Sequence, residues 1–204
     1  WAMIAAAAAT RNDLRARDDA LQRVMTAATY NMRFPSLAPI FEAVSVNAQP
    51  PMVWTMAGAT LIGWSSMAAI TQSTPLTVLC LGRSPMDATR RAACDRLANH
   101  VLENDQTVVA FNMATATGKK LAWDPARLKT LADEKWVTLG LGREWNDEKT
   151  MFSCSGILRT KQMMQKTLSK GERAIVRDYI AASGMTLAEL ADQYRKKYPG
   201  MTND

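Results

Sequence analysis

The feature that most constrains this chain is a run of forty residues without a charge. No Asp, Glu, Lys or Arg occurs between Glu42 and Arg83, although 22% of the chain is charged. Inside the run, residues 53–70 are apolar or small and about as long as a helix that crosses a bilayer. We therefore predict a transmembrane helix over 52–72, with a buried core helix or two short core strands as the alternative. The residues assigned to the span include Val53, Trp54, Leu61, Ile62, Trp64 and Ile70.

Composition limits the partners and the cofactors. The 204 residues suit one compact domain with attachments or two small domains, and the net charge of +6 favours nucleic acid, anionic lipid or an acidic subunit. Cys80, Cys94 and Cys154 form no Cys-x-x-Cys pair, which favours reduced thiols. His100 is the single histidine, so we expect no zinc or haem site and no cofactor.

The order of predicted elements indicates an α/β protein. An amphipathic helix over 1–33 and a proline-containing connector over 34–51 precede the predicted span. A domain over 75–168 then combines short apolar runs, typical of buried strands, with helical periodicity. The strands are predicted at 76–81, 107–113, 136–141 and 149–154, and the helices at 86–103, at 125–135 and from 158 onward.

This βαβαββα order resembles the thioredoxin-like fold. The resemblance covers about half of the chain and implies a central sheet. The loop after the first predicted strand reads Gly82-Arg83-Ser84-Pro85, without the cysteines of that family's redox centre. Glu134-Lys135 stands where the family has a proline before its third strand. The resemblance therefore implies a structural or assembly module without disulfide exchange chemistry.

The C-terminal segment, 169–204, predicts a helical hairpin. Ser169-x-x-Glu172 and Thr186-x-x-Glu189 have the spacing of capping boxes, in which two side chains satisfy backbone donors at a helix start. Ser183-Gly184 is expected to end the first helix and Pro199-Gly200 the second. The apolar residues expected to pack together are Ile175, Tyr179, Ile180, Leu187, Leu190 and Tyr194.

Two segments are candidates for anion contact. Arg83 and Ser84 precede a predicted helix, where free backbone N–H groups favour an anion, although an ordinary helix cap is the preferred explanation. The stretch 149–170 is rich in Lys and Arg and contains no acidic residue. Its cations suit the phosphates of nucleic acid or of lipid, an acidic subunit, or a solvated surface. The residues singled out there are Arg159, Lys161, Lys166 and Lys170.

Two fragments resemble pieces of bunyavirus nucleoproteins. They are Gly63-Trp64 in its alanine-rich context and Lys161-Gln-Met-Met-Gln-Lys-Thr-Leu-Ser-Lys170. They occur here in the opposite order to that family, and we base no assignment on them.

The function expected from these patterns is structural and not enzymatic, because no phosphate-binding glycine loop or convergent catalytic set occurs. The first hypothesis is a subunit of a membrane complex, of respiratory-chain or ATP-synthase type, in the mitochondrial inner membrane. The arginines that follow the predicted span would place its C-terminal domain in the matrix, near other subunits and anionic lipid. The second hypothesis is a nucleic-acid-binding coat or nucleocapsid protein that uses 149–170. The third is a small α/β enzyme that acts on a phosphorylated ligand at 82–87.

Overall fold

The computed structural model describes residues 7–8, 11–26, 76–83, 85–104, 107–145 and 154–200. All of the regular secondary structure in these ranges is helical. The elements are α1 (Leu14–Thr26), a π-helix (Leu76–Leu81), α2 (Ala88–Asn104), α3 (Val108–Lys120), α4 (Pro125–Trp145), α5 (Cys154–Lys170), α6 (Glu172–Ser183) and α7 (Leu187–Lys197). The described residues form two compact units, which divide between Leu128 and Lys129.

In unit 1, the residues up to Leu128, α2 and α3 form the centre. Both α1 and the π-helix contact α2, and the π-helix also contacts α3. Three fully buried alanines, Ala98, Ala110 and Ala114, line these helices. Their small side chains allow the helices to approach closely, and Phe111 and Leu97 fill the remaining space.

A disulfide between Cys80 and Cys94 joins the π-helix to α2. Both cysteines are buried, and their Cα atoms lie 5.6 Å apart. The expectation of reduced thiols at these two positions is therefore wrong for this structure. The pairing depends on the contact between two elements and does not follow from the spacing of the cysteines along the chain.

In unit 2, the residues from Lys129, α4, α6 and α7 enclose one apolar core. It is formed by Val137, Leu141, Val176, Leu190, Ala191 and Tyr194. Gly140 is the point of closest approach, since a Cβ atom there would collide with the Tyr194 ring. The sequence therefore needs glycine at this position for α7 to reach α4.

The predicted α/β fold, and with it the resemblance to thioredoxin-like proteins, is wrong. Residues 76–81 form the π-helix, 107–113 enter α3, and 136–141 continue α4. Of the fourth predicted strand, only Cys154 is described, and it begins α5. The described ranges contain no strand, so they provide no sheet on which a thioredoxin-like fold could be built.

The error arises because short apolar runs fit a strand and a buried helix equally well. Leu76, Leu79 and Cys80 are the buried residues of the first run. Leu79 and Cys80 follow Leu76 by three and four residues, which places all three on one side of a helix. In the second run, the Thr107 side chain accepts a hydrogen bond from the Ala110 N–H and caps α3. This cap and the tertiary contacts outweigh the β preference of Val108 and its neighbour.

The predicted transmembrane helix must also be corrected. Within the described ranges, no helix is both long enough and apolar enough to cross a membrane. The longest, α4, has 21 residues but contains seven charged ones, and the more apolar α3 has only 13 residues. The segment 52–72 itself, including all of the span residues named above, lies outside the described residues.

Local motifs predict some of the helix boundaries near the two ends of the described chain and miss others. Thr186 and Glu189 form the expected capping box, and Gly184 ends α6 with a left-handed φ of 69°. The predicted box at Ser169 is wrong, because α5 continues through Ser169 and Gly171 precedes α6. The helix predicted over 1–33 is interrupted within the described residues, since Asn12 has a φ of 59° and α1 begins at Leu14.

Candidate nucleic-acid interface

Helix α5 presents a continuous polar face to solvent. At about 100° per residue, its described exposed residues occupy an arc of about 120°. They are Leu158, Arg159, Gln162, Lys166, Ser169 and Lys170. The three cations follow the helix axis over about 16 Å. We call Arg159, Lys166 and Lys170 the α5 stripe.

Few negative charges neutralise the α5 stripe. No acidic residue occurs between Glu148 and Glu172. Lys170 pairs with Asp178 at 3.3 Å, but both side chains are more than half exposed, so this pair contributes little. Among the described residues, no carboxylate forms an ion pair with Arg159 or Lys166. Within the described part of the chain, these two cations of the stripe are therefore not neutralised by an ion pair.

The C-terminal end of α5 is firmly anchored. The Gly171 N–H donates to the Thr167 carbonyl at 2.8 Å, and Thr167 is buried. Gly171 has a φ of 87°, a left-handed value that favours glycine, and this lets α6 begin directly after α5. Arg173, two residues further on, makes a bidentate hydrogen bond to Glu134 of α4 at 2.9 and 3.3 Å. The stripe is thus attached to a rigid part of unit 2.

The other predicted anion site has a different environment. Arg83 is exposed in unit 1, and Ser84 lies outside the described residues. The start of α2 is capped by Asp87, whose Oδ1 accepts the Arg90 N–H at 2.7 Å. That backbone hydrogen bond lowers the pKa of Asp87 most, and the nearby Arg17 lowers it further. The N-terminus of α2 therefore already has an anionic partner.

Two predicted residues of the basic stretch are not placed. Lys149 lies outside the described residues, and the side chain of Lys161, on α5, is also outside them. The structure brings Arg159, Lys166 and Lys170 onto one face. Arg83 belongs to unit 1 and these three to unit 2.

The buried charges of unit 2 are used for structure. Asp133 on α4 accepts hydrogen bonds from Lys129, at 2.7 Å, and from Arg195. Burial raises the pKa of Asp133, but these two bonds outweigh burial and leave the pKa below its ordinary value. Each of the two carboxylate oxygens thus accepts a hydrogen bond from a cationic side chain of unit 2.

The Tyr194 hydroxyl is also held inside unit 2. It donates to Glu144 Oε2 at 3.1 Å and lies 3.3 Å from the Tyr179 hydroxyl. Burial, together with these two neighbours, raises the pKa of Tyr194 far above its ordinary value. The phenol therefore stays protonated and does not serve as a base. Within the described ranges, no group of three or more His, Cys, Asp or Glu side chains is arranged to hold a metal ion.

No protein-family model matches this chain, and no curated protein or solved structure matches it either. The site must therefore be judged on its own chemistry.

Sequence reasoning missed one group of cations. Arg91, Lys119 and Lys120 are exposed in unit 1, and Lys120 contacts the loop that contains Arg83. The sequence does offer an indication, because no acidic residue occurs between Asp105 and Asp124. The indication is weak without the fold, which is needed to bring the residues together.

Proposed function

We propose that this protein binds nucleic acid through the α5 stripe, as a structural protein of the coat or nucleocapsid kind. The observation that carries this proposal is a row of exposed Arg and Lys side chains on a helix without a single carboxylate. Such a row matches the regular negative charge of a phosphate backbone, and release of counterions drives the association.

The chemistry of the stripe favours contact with phosphates over contact with bases. Its neighbours, Gln162 and Ser169, provide short polar groups that suit phosphate and sugar oxygens. The face carries no aromatic residue on which a base could stack; its exposed apolar residue is Leu158, at 62% exposure. We therefore expect affinity that depends little on nucleotide sequence, as a coat function requires.

The stripe coincides with most of a fragment noted in the sequence. The segment Lys161–Lys170, which resembles a piece of bunyavirus nucleoproteins, forms the C-terminal half of α5. This likeness carries no weight in the proposal, because the two fragments occur here in the opposite order to that family.

The test uses the full chain and a fluorescently labelled single-stranded RNA. Fluorescence anisotropy over a salt series gives the slope of log Kobs against log salt. Each phosphate contact on a single strand contributes about −0.7 to that slope. Arg159→Gln/Lys166→Gln should therefore make the slope shallower by about 1.4 and weaken binding at low salt.

The matched control is Arg177→Gln/Lys196→Gln. It removes the same charge from exposed positions of α6 and α7 in the same unit. This variant should change the slope much less, because only the general attraction is reduced. Absence of RNA binding by the unsubstituted protein at low salt would remove the proposal, and so would equal effects of the two variants.

The hypothesis of a structural subunit in a membrane complex stays a prediction, together with its mitochondrial location. Mild detergent extraction followed by size separation tests it. A large protein assembly without nucleic acid would favour that hypothesis over the one proposed here.

A further inference from the structure

Exposed cations from three elements of unit 1 meet around Gly82. Lys120, at the end of α3, donates to the Gly82 carbonyl, next to Arg83. Arg91 of α2 donates through Nη2 to the Leu121 carbonyl at 2.7 Å, next to Lys120. Together with Lys119, these side chains are all exposed. We call Arg83, Arg91, Lys119 and Lys120 the Gly82 patch.

The carboxylates nearest in sequence to this patch have partners of their own. Asp87 accepts the Arg90 N–H at 2.7 Å and Arg17 Nη2 at 3.2 Å. Asp95 accepts the Trp123 indole N–H, and Asp124 accepts the Arg127 N–H at the start of α4. Among the ion pairs of the described residues, none joins one of these carboxylates to a cation of the Gly82 patch, and Asp87 pairs with Arg17 instead.

The support beneath the Gly82 patch is rigid. Arg90 is only 6% exposed, and its guanidinium donates to the carbonyls of Leu79 and Pro85, one on each side of Gly82. The disulfide from Cys80 to Cys94 joins the same two elements. Because the backbone under the cations is fixed in this way, ordering it on binding costs little.

We infer that the Gly82 patch is a second phosphate-binding surface for nucleic acid, so that each compact unit contributes one. This inference rests on the proposed function and adds a partner surface that the α5 stripe does not include. The cations come from the loop, α2 and the end of α3. Four cations on three neighbouring elements suit the repeated negative charge of a polymer of phosphates.

A membrane surface is the less favoured partner. Peripheral membrane binding usually combines cations with exposed apolar side chains that enter the lipid. The large apolar residues that are exposed in the described ranges are Leu14, Leu158 and Met185. None of them belongs to the elements that form the Gly82 patch.

The experiment compares Arg83→Gln/Lys119→Gln with Arg15→Gln/Arg96→Gln. The first pair leaves the hydrogen bonds of Lys120 and Arg91 intact. The second removes the same charge from exposed positions of unit 1. Arg17 binds Asp87 near the patch, and Arg15 lies about 200° further round α1 from Arg17. Arg96 lies about 140° round α2 from Arg91. The side chains of both control residues therefore point away from the Gly82 patch. Thermal melts of both variants check that the fold is retained.

With labelled single-stranded RNA, Arg83→Gln/Lys119→Gln should make the salt slope shallower by about 1.4. The control pair should change it much less. If this variant and its control gave equal salt slopes while Arg159→Gln/Lys166→Gln still bound RNA more weakly, the inference would be wrong and the proposed function would be retained. Absence of RNA binding by the unsubstituted protein would instead contradict the proposed function.

Two further outcomes separate the surfaces and the partners. If Arg83→Gln/Lys119→Gln weakened RNA binding and Arg159→Gln/Lys166→Gln did not, the result would support this inference and contradict the α5 interface. Vesicles of phosphatidylcholine with and without phosphatidylserine test lipid directly. A loss of vesicle binding in Arg83→Gln/Lys119→Gln with unchanged RNA binding would overturn the inference in favour of a membrane surface.

Discussion

Unit 1 and unit 2 are both helical, but their buried charged side chains bind different kinds of partner. In unit 1 the buried Arg90 donates to backbone carbonyls, and a disulfide joins two helical elements. In unit 2 the buried Arg173 and Asp133 each bind side chains of opposite charge. Helices can therefore be fixed together by a covalent link and small residues, or by ion pairs. The two solutions should respond to different perturbations, reduction in one unit and charge removal or acid in the other.

The largest effect is expected from Arg173→Met. Arg173 and Glu134 are 4% and 14% exposed, so removal of the arginine leaves a carboxylate buried without its main partner. Breaking a buried pair in this way costs about 3–5 kcal/mol. Denaturant unfolding measures the loss, and hydrogen exchange of α4 and α6 peptides should locate it in unit 2.

Two controls sharpen this prediction. Lys170→Met breaks the exposed pair with Asp178 and should cost less than about 1 kcal/mol. Arg173→Met/Glu134→Gln removes both charges and should recover part of the stability. If Arg173→Met increased exchange equally in α2 and α3, the contrast between the units would be lost.

The next largest effect concerns the disulfide of unit 1. Cys80 and Cys94 are 14 residues apart, and a bond that closes a loop of this size stabilises by about 3 kcal/mol. Cys80→Ala/Cys94→Ala should therefore destabilise unit 1, with faster exchange in the π-helix, α2 and α3. A reducing agent should act on the unsubstituted protein and leave this variant unaffected. A stability unchanged by reduction would show that the link contributes nothing.

A third effect, of about 2 kcal/mol, is expected at Asp133, where charge-assisted hydrogen bonds from Lys129 and Arg195 meet. The pKa of Asp133 is lower in the folded state than its ordinary value. Its contribution is therefore complete above the unfolded pKa, about 3.9, and is lost as the pH falls through the lower folded pKa.

Asp133→Asn tests this dependence. It should cost stability at pH 7, and the difference from the unsubstituted protein should shrink as the pH falls below about 4. Asp178→Asn, at the exposed pair, should change stability little at either pH. A difference for Asp133→Asn that is the same at both pH values would contradict the assignment.

The sequence predicts those parts of the fold that depend on local interactions. Thr186, Glu189 and Gly184 mark helix ends correctly, because each acts on backbone groups only a few residues away. The runs at 76–81 and 136–141 fail because contacts from distant elements decide between strand and helix. The packing of the Tyr194 ring on Gly140 is one such contact, and the sequence near either residue does not predict it.

The same distinction applies to the candidate sites. The cations of the α5 stripe are predictable, since their spacing places them on one face of a single helix. The Gly82 patch is not predictable in this way, because Arg91 and Lys120 belong to different helices and only the fold brings Arg91 to the Leu121 carbonyl, next to Lys120. The pairing of Cys80 with Cys94 escapes prediction for the same reason.

The last effects are expected at two threonine caps, one in each unit, and they are as large as the effect at Asp133 or smaller. Thr107 and Thr186 each accept a backbone N–H at 3.3 Å, from Ala110 and Glu189 respectively. Thr107 is buried at 1% exposure, whereas Thr186 is exposed. Water replaces a lost cap at an exposed position but not at a buried one, so Thr107→Ala should cost about 2 kcal/mol and Thr186→Ala about 1 kcal/mol.

Denaturant unfolding of the two alanine variants, with Gln193→Ala on the exposed face of α7 as control, measures this difference. Serine at either position keeps the capping oxygen and should restore most of the loss, which separates the cap from the packing of the methyl group. A larger cost at Thr107 is the result expected from its burial. Equal costs would mean that water reaches the start of α3 as readily as the start of α7, and the tight packing assigned to unit 1 would then be wrong.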